Sequence, residues 1–328
     1  MPGDLRIGTS GWNYPTGPGT WNGVFYPKPR PTAFDELAFY AQFFNFVEVN
    51  ATFYGQPRAE VTAQWVGRTP PNFAFAVKLY QQFTHPRMFQ LRVKEALSKK
   101  LGADDLPDSA IDALVQANQS DFDAFKRGID PLAQAGKLGP LLAQFPASFR
   151  NEAASRAQLS AILRALGDYS VAVELRHRSW NDARIAAMLS AFGATWVEID
   201  EPQFKDSIRP PAPDAQAPLT YRRLHGRQAK AWWRGNRDER YDYLYSEEEL
   251  RPIAAEAERD AKRRRYIAFN NHPNAKAVVN ALTLKRLLGE PLDRALPRSL
   301  VDAYPDLGDV EVTEHLPAGD RPGHPQKG

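Results

Sequence analysis

Eight short segments rich in β-branched and aromatic residues recur along the chain, at residues 5–9, 46–50, 73–78, 141–145, 171–176, 195–200, 221–225 and 266–270. Between them, apolar residues repeat at helical spacing over residues 33–44, 58–66, 119–135, 152–166, 182–192, 246–262 and 275–288. This alternation limits the fold more than any other feature. Parallel strands cannot be joined by a tight turn and need a crossover, usually a helix, so strand–helix–strand repeats predict a parallel sheet covered by helices. Eight such units in roughly 290 residues match a single-domain (β/α)8 TIM barrel enlarged by insertions. A doubly wound open sheet is the alternative.

Three segments depart from the plain repeat. Residues 10–31, rich in Gly, Pro and Trp, follow the first strand and are expected to form a lid or wall over a site. A segment inserted after the third strand, residues 86–117, carries Arg92-Val93-Lys94-Glu95 and the breakers Gly102 and Pro107, and is expected to form a small helical element. The division is a barrel domain over 1–290 and a Pro-rich C-terminal extension over 291–328, partly disordered, with its last dozen residues too polar to pack.

Polar residues gather where the strands end. Phe46-Val47-Glu48-Val49-Asn50 places Glu48 and Asn50 on one face, and side chains two apart share a face in every strand. The same count aligns Lys78, Gln144, Glu174 with Arg176, Glu198 with Asp200, and Arg223 with His225; Asn270, Asn271 and His272 complete the ring. Four of the six histidines, His85, His177, His225 and His272, follow strands, while His315 and His324 lie in the tail. In a parallel barrel, the carboxyl ends of strands build the active site. A purely structural role competes: Glu48 and Glu174 can be buried partners of Lys78 and Arg176, because buried charges persist only when paired.

Composition excludes several chemistries. The 328 residues include 42 Lys and Arg against 39 Asp and Glu, a net charge of +3, so the overall field does not by itself draw nucleic acid. No cysteine is present, which removes disulfides, thiolate metal sites, iron–sulfur clusters and thiol nucleophiles. No apolar run is long enough to span a membrane and the first residues lack an apolar signal core, so a cytoplasmic protein with no membrane partner is expected.

Taken together, Ile7-Gly8-Thr9-Ser10-Gly11-Trp12, Val47-Glu48-Val49-Asn50-Ala51-Thr52-Phe53-Tyr54, Phe75-Ala76-Val77-Lys78 with Thr84-His85, Gln144-Phe145-Pro146, Val173-Glu174-Leu175-Arg176-His177 with Trp180, Leu224-His225-Gly226 and Phe269-Asn270-Asn271-His272 resemble the YecE-like family, the domain of unknown function 72. The resemblance runs from about Leu5 to Leu288. It implies a TIM barrel and no particular reaction. The insertion looks longer than the family pattern.

The ring combines cations with carboxylates. Arg offers a planar fork and Lys a point charge to phosphate or carboxylate, and the Gly8-Thr9-Ser10-Gly11 turn can add backbone N–H donors. The expected enzyme therefore performs general acid/base chemistry, hydrolysis included, on a small phosphorylated or otherwise anionic, hydroxylated substrate. Glu48, Glu174 and His225 are its catalytic candidates; Asn50, Tyr54, Lys78, Arg176, Asp200, Arg223, Asn270 and Asn271 are its binding candidates. A divalent metal is disfavoured: His225, His272, Glu174 and Asp200 have the chemistry, but no HxH or HExxH spacing occurs and Lys78, Arg176 and Arg223 repel a cation. The alternative function is single-stranded nucleic-acid binding or processing, since Arg227, Lys230, Trp232, Trp233, Arg234, Arg237 and Arg240 interleave cations with indoles after the seventh strand.

Overall fold

The computed structural model describes residues 4–101, 108–209, 217, 219–292, 294–308 and 311–313. Nine strands form one sheet: β1 (Leu5–Ser10), β2 (Phe46–Val49), β3 (Ala74–Lys78), β4 (Leu138–Gln144), β5 (Val171–Glu174), β6 (Thr195–Trp196), β7 (Glu198–Asp200), β8 (Leu219–Leu224) and β9 (Arg264–Phe269). Their spatial order is β6-β5-β4-β3-β2-β1-β9-β8-β7, and every pairing is parallel. The two edge strands, β6 and β7, are consecutive in the chain and separated by Val197 alone. They are halves of one stave, so the sheet closes into an eight-staved TIM barrel. Val197 N–H still reaches Val173 O at 2.9 Å, and Thr195 Oγ1 reaches Leu219 O at 3.5 Å across the seam.

Alternation sorts each strand into two faces. Phe46, Ala74, Ala76, Leu142, Ala172, Val197, Leu219, Tyr221, Tyr266 and Ala268 pack together inside the barrel. Four of these ten are alanines, which leave room for the three large rings in the bore: Tyr266 lies 5.3 Å from Phe46 and 5.8 Å from Tyr221, centroid to centroid. The opposite faces, with Phe75, Val77, Leu141 and Val173, meet the surrounding helices in a second and larger core.

The expected crossover helices form at Glu36–Tyr40, Ala59–Gly67, Gln119–Gln134, Ala153–Ala165, Ala183–Ala191, Glu247–Arg259 and Lys276–Leu287. Reciprocal capping boxes start two of them: Asn118 with Asp121, and Ser246 with Glu249. Gln119–Gln134 sits close against Ala59–Gly67 because Gly128 has no side chain; a Cβ there would stand 2.1 Å from Pro57 O. The insertion contributes helices Pro86–Leu101 and Asp108–Val115, with Gly102 and Pro107 outside the described residues.

Residues 10–31 take one of their two expected forms. Trp21, Phe25 and Tyr26 are fully buried in the outer core, and Trp21 donates its indole N–H to His272 O at 2.7 Å. Aromatic burial makes this loop part of the wall, not a lid. Past residue 289, Leu296, Leu300 and Leu307 pack into the same core. The tail expected to be disordered falls on 314–328, outside the described residues.

Candidate functional site

At the carboxyl end of the barrel, Arg223 on β8 reaches across the bore. Its Nε and Nη2 donate to the two oxygens of Glu48 at 2.8 and 2.7 Å, a bidentate pair, and its Nη1 donates to Glu174 Oε2. Ser10 Oγ and Tyr221 OH also donate to Glu48, at 2.7 and 2.8 Å. All of this is shut away from solvent: Glu48 and Glu174 are 0% exposed and Arg223 2%. Burial pushes the Glu48 carboxyl up, but the Arg223 charge and the three donors more than reverse that, and it is held below the usual range. Glu174 is held well below it, burial being overcome by Arg223 and then Arg176.

The second tier begins at Glu174. Arg176, two residues on, donates Nε to Glu174 Oε1 at 2.7 Å and places Nη2 3.3 Å from His225 Nε2. His225 Nδ1 lies 2.9 Å from Asn270 Nδ2, and its Nε2 also faces Glu174 Oε2 at 3.7 Å. Burial first, then the charge of Arg223, lowers the His225 pKa to about 4, so the ring is neutral at pH 7.

Above these tiers opens a cavity of about 690 Å³, lined by Asn50, Tyr54, Lys78, Arg176, Arg223 and Asn270 among the expected residues. Lys78 projects from the end of β3 with its ammonium 4.4 Å from the centre of the Phe53 ring, and no described carboxylate pairs with it. Burial, then the neighbouring charge of Arg223, lowers its pKa to about 7. His85 beside it is lowered to about 3 by burial and then by Lys78. Three buried polar atoms of the lining have no hydrogen-bond partner: Asn50 Oδ1, Glu201 Oε2 and Arg240 Nε. Unpaired groups in a polar cavity are what a ligand satisfies.

Glu201 was not among the expected residues. Its Oε2 has Arg176 Nη1 3.5 Å away, and its pKa is raised because burial outweighs that charge. The sequence signal was phase: Val197, Ile199 and Glu201 share the inner face, while Glu198 and Asp200 face outward. The expected face of this strand is thus reversed. Asp200 accepts from Arg227 at 2.6 Å and from Tyr245 OH at 2.7 Å on the outer wall, away from the cavity.

Other expectations separate in the same way. Glu48, Glu174 and His225 lie beneath the cavity, not in its lining, whereas Asn271 donates to Tyr243 O and Asn280 Oδ1 in the wall. His272 stacks on Tyr14 at 4.5 Å and Trp180 is buried on Phe149. The glycine turn offers no free donor at Gly11, which at φ 95° gives its N–H to Glu48 O at 2.8 Å. Of the indole-rich loop, Trp232 is buried, Trp233 is 63% exposed at the cavity edge, and Arg227 is occupied by Asp200 and Glu249. Arg237's side chain lies outside what is described. Among the described residues, no three His, Asp or Glu side chains stand together as a metal site, and no helix is long and apolar enough to cross a membrane.

The chain belongs to the family described as Protein of unknown function DUF72, whose model matches residues 6–301. It is 28% identical over 312 residues to the UPF0759 protein YunF of Bacillus subtilis, covering 90% of this chain and 99% of that one. A DUF72 family protein of Thermotoga maritima is similar in structure, with 32% identity, a TM-score of 0.69 and coverage of 88% of this chain and 100% of its own. A DUF72 family protein of Enterococcus faecalis, 24% identical, shares the fold with a TM-score of 0.68 over 88% of this chain and 97% of its own.

Proposed function

We propose that the cavity is the active site of an enzyme that binds a small anionic, hydroxylated substrate, phosphorylated compounds included, and moves protons on it. One observation carries this reading: Lys78, Arg176 and Arg223 face the same cavity while Glu48 and Glu174 lie buried behind them. The counter-ions fix Arg176 and Arg223 without occupying the space in front of them, which leaves positive potential aimed at a ligand. Arg176 is the clamp, since its side chain is 16% exposed against 2% for Arg223, whose Nε, Nη1 and Nη2 all donate to carboxylates. Glu201, whose carboxyl is raised, is the general acid, and Asn50 and Asn270 receive substrate hydroxyls. Glu48 and Glu174 hold the clamp, a positioning role in place of the base role expected from sequence; His225 connects Glu174 and Arg176 to Asn270.

Thermal unfolding against phosphate, sugar phosphates, small carboxylates and nucleotides tests the reading. A true ligand at 100 times its dissociation constant stabilises by about 2.7 kcal/mol, a shift of several degrees. Arg176→Gln is expected to lose most of that shift. If no anion stabilises the wild type, or the variant responds equally, the reading fails.

A second reading rests on Trp233. Its exposed ring lies 5.4 Å from Phe204 at the cavity edge, where Arg150 is exposed and Arg234 follows in the chain. Such a platform suits a base at the end of a single strand. Oligonucleotide affinity that falls steeply with salt and drops in Trp233→Ala would favour it.

A further inference from the structure

We infer that Lys78 is an amine nucleophile that forms an imine with the carbonyl carbon of a small oxo-acid held by Arg176. The inference rests on the reading of the cavity as an anion-binding active site and adds the substrate class and the bond that forms.

The geometry supplies each requirement. An imine-forming lysine must be a free amine, must face open space, and must stand beside an anchor for the rest of the substrate. Lys78 opens into the cavity with the Phe53 ring against it and no described carboxylate paired with it. A carboxylate partner would hold the amine protonated; here Glu48 and Glu174 are bound to Arg223 and Arg176 instead. The fixed cations and the burial favour the neutral amine, whose pKa falls to about 7. With its pKa lowered to about 7, Lys78 has a substantial free-amine population at pH 7.5, against about one in a thousand for an ordinary lysine. The same cations that discharge Lys78 attract the carboxylate of the substrate.

The step balances within the cavity. The Nζ lone pair forms the C–N bond as the carbonyl π pair moves to oxygen, which takes the proton of Glu201. The Glu201 carboxylate then removes a proton from nitrogen, leaving a neutral carbinolamine. Returned to oxygen, that proton lets the hydroxyl depart as water while the nitrogen lone pair completes C=N. The products are a protonated imine on Lys78, one water and ionised Glu201. Glu201 suits the part because it lines the same cavity and burial favours its protonated form. A C–C or C–H bond next to the imine carbon is then weakened, which points to aldol, decarboxylation or proton-transfer chemistry on an oxo-acid.

Borohydride trapping tests this directly. The full-length protein is incubated with pyruvate and, separately, with 2-oxoglutarate at pH 7.5, reduced with sodium borohydride, digested and mapped by mass spectrometry. At least one acid is expected to give a reduced adduct on Lys78 more than about a hundredfold over any other lysine, following the free-amine fractions. Its yield should rise with pH around a midpoint near 7. Lys78→Arg and Lys78→Met should both lack it, and Glu201→Gln should slow it while leaving thermal stabilisation by the same acid in place. Adduct spread evenly over lysines, or none on Lys78 with either acid, overturns the inference. Thermal unfolding with each acid separates the two levels: stabilisation lost in Arg176→Gln without an adduct removes the imine and leaves the anion site, and no stabilisation by any anion removes both.

Discussion

Two clusters of charge lie on the same stretch of barrel and obey opposite rules. On the outer wall, Arg222 pairs with Glu198 and Glu256, and Arg227 pairs with Asp200 and Glu249. Each cation there has two carboxylates, in reach of water. Inside the mouth, Arg223 is held by Glu48 and Glu174 and Arg176 by Glu174 and Glu201, but Lys78 and Arg240 face the cavity with no described carboxylate paired to them. Matched charges near water describe a surface that holds two elements together and little else. Mismatched charges withdrawn from water describe a place prepared for something that arrives later. The distinction cannot be drawn from residue types, because both clusters are made of Arg and Glu.

The contrast sets the size of each expected effect. Glu48→Gln leaves Arg223 buried with half its partners, so unfolding in denaturant should show a loss of about 3–5 kcal/mol. A loss under about 1 kcal/mol would mean the inner cluster behaves like the outer one. Acid should come next. Unfolded His225 titrates near 6.5 and the folded ring near 4, so between those values the unfolded chain holds the extra proton. Its contribution, on the order of 3 kcal/mol, is therefore complete above pH 6.5 and lost as pH falls through 4. Stability curves from pH 7.5 to 3.5 should steepen over that window in the wild type and flatten in His225→Gln. Glu201→Gln sharpens the comparison from the other side: a buried carboxyl whose Oε2 makes no hydrogen bond is replaced by a neutral amide, and stability should hold or rise by about 1 kcal/mol while any turnover falls. Arg227→Ala, on the outer wall, should shift stability by no more than about 1 kcal/mol.

How far the sequence reads follows from the same geometry. The fold was legible because a closed parallel barrel needs eight strand–helix units and the chain displays them. The inward ring at Glu48, Lys78, Gln144, Glu174, Arg176 and Arg223 followed from period-two counting carried to the strand ends. The count fails at residues 197–201, where it points the acidic side chains inward. The break at Val197 and the water-accessible outer groove let Glu198 and Asp200 face out, and Val197 with Ile199 carried the true phase. Depth was not legible at all. Asn50 and Glu48 share a face, yet the first lines the cavity and the second is sealed under Arg223, a difference set by which side chain crosses the bore. For the loop over 10–31 the sequence leaves lid and wall open, and the burial of Trp21, Phe25 and Tyr26 decides for the wall.

The contacts of Arg223 reach 175 residues back to Glu48 and 49 residues back to Glu174. Neither contact repays its chain entropy until the intervening staves are in register, because closing so long a loop must precede the reward. The inner cluster is therefore complete only when β2, β5 and β8 stand in the one sheet. A half-barrel, however well packed, would leave Glu48 and Glu174 without their common partner and would have no ordered cation to offer. Competence to bind is in this chain a property of the closed ring, so ligand binding itself reports that closure is complete.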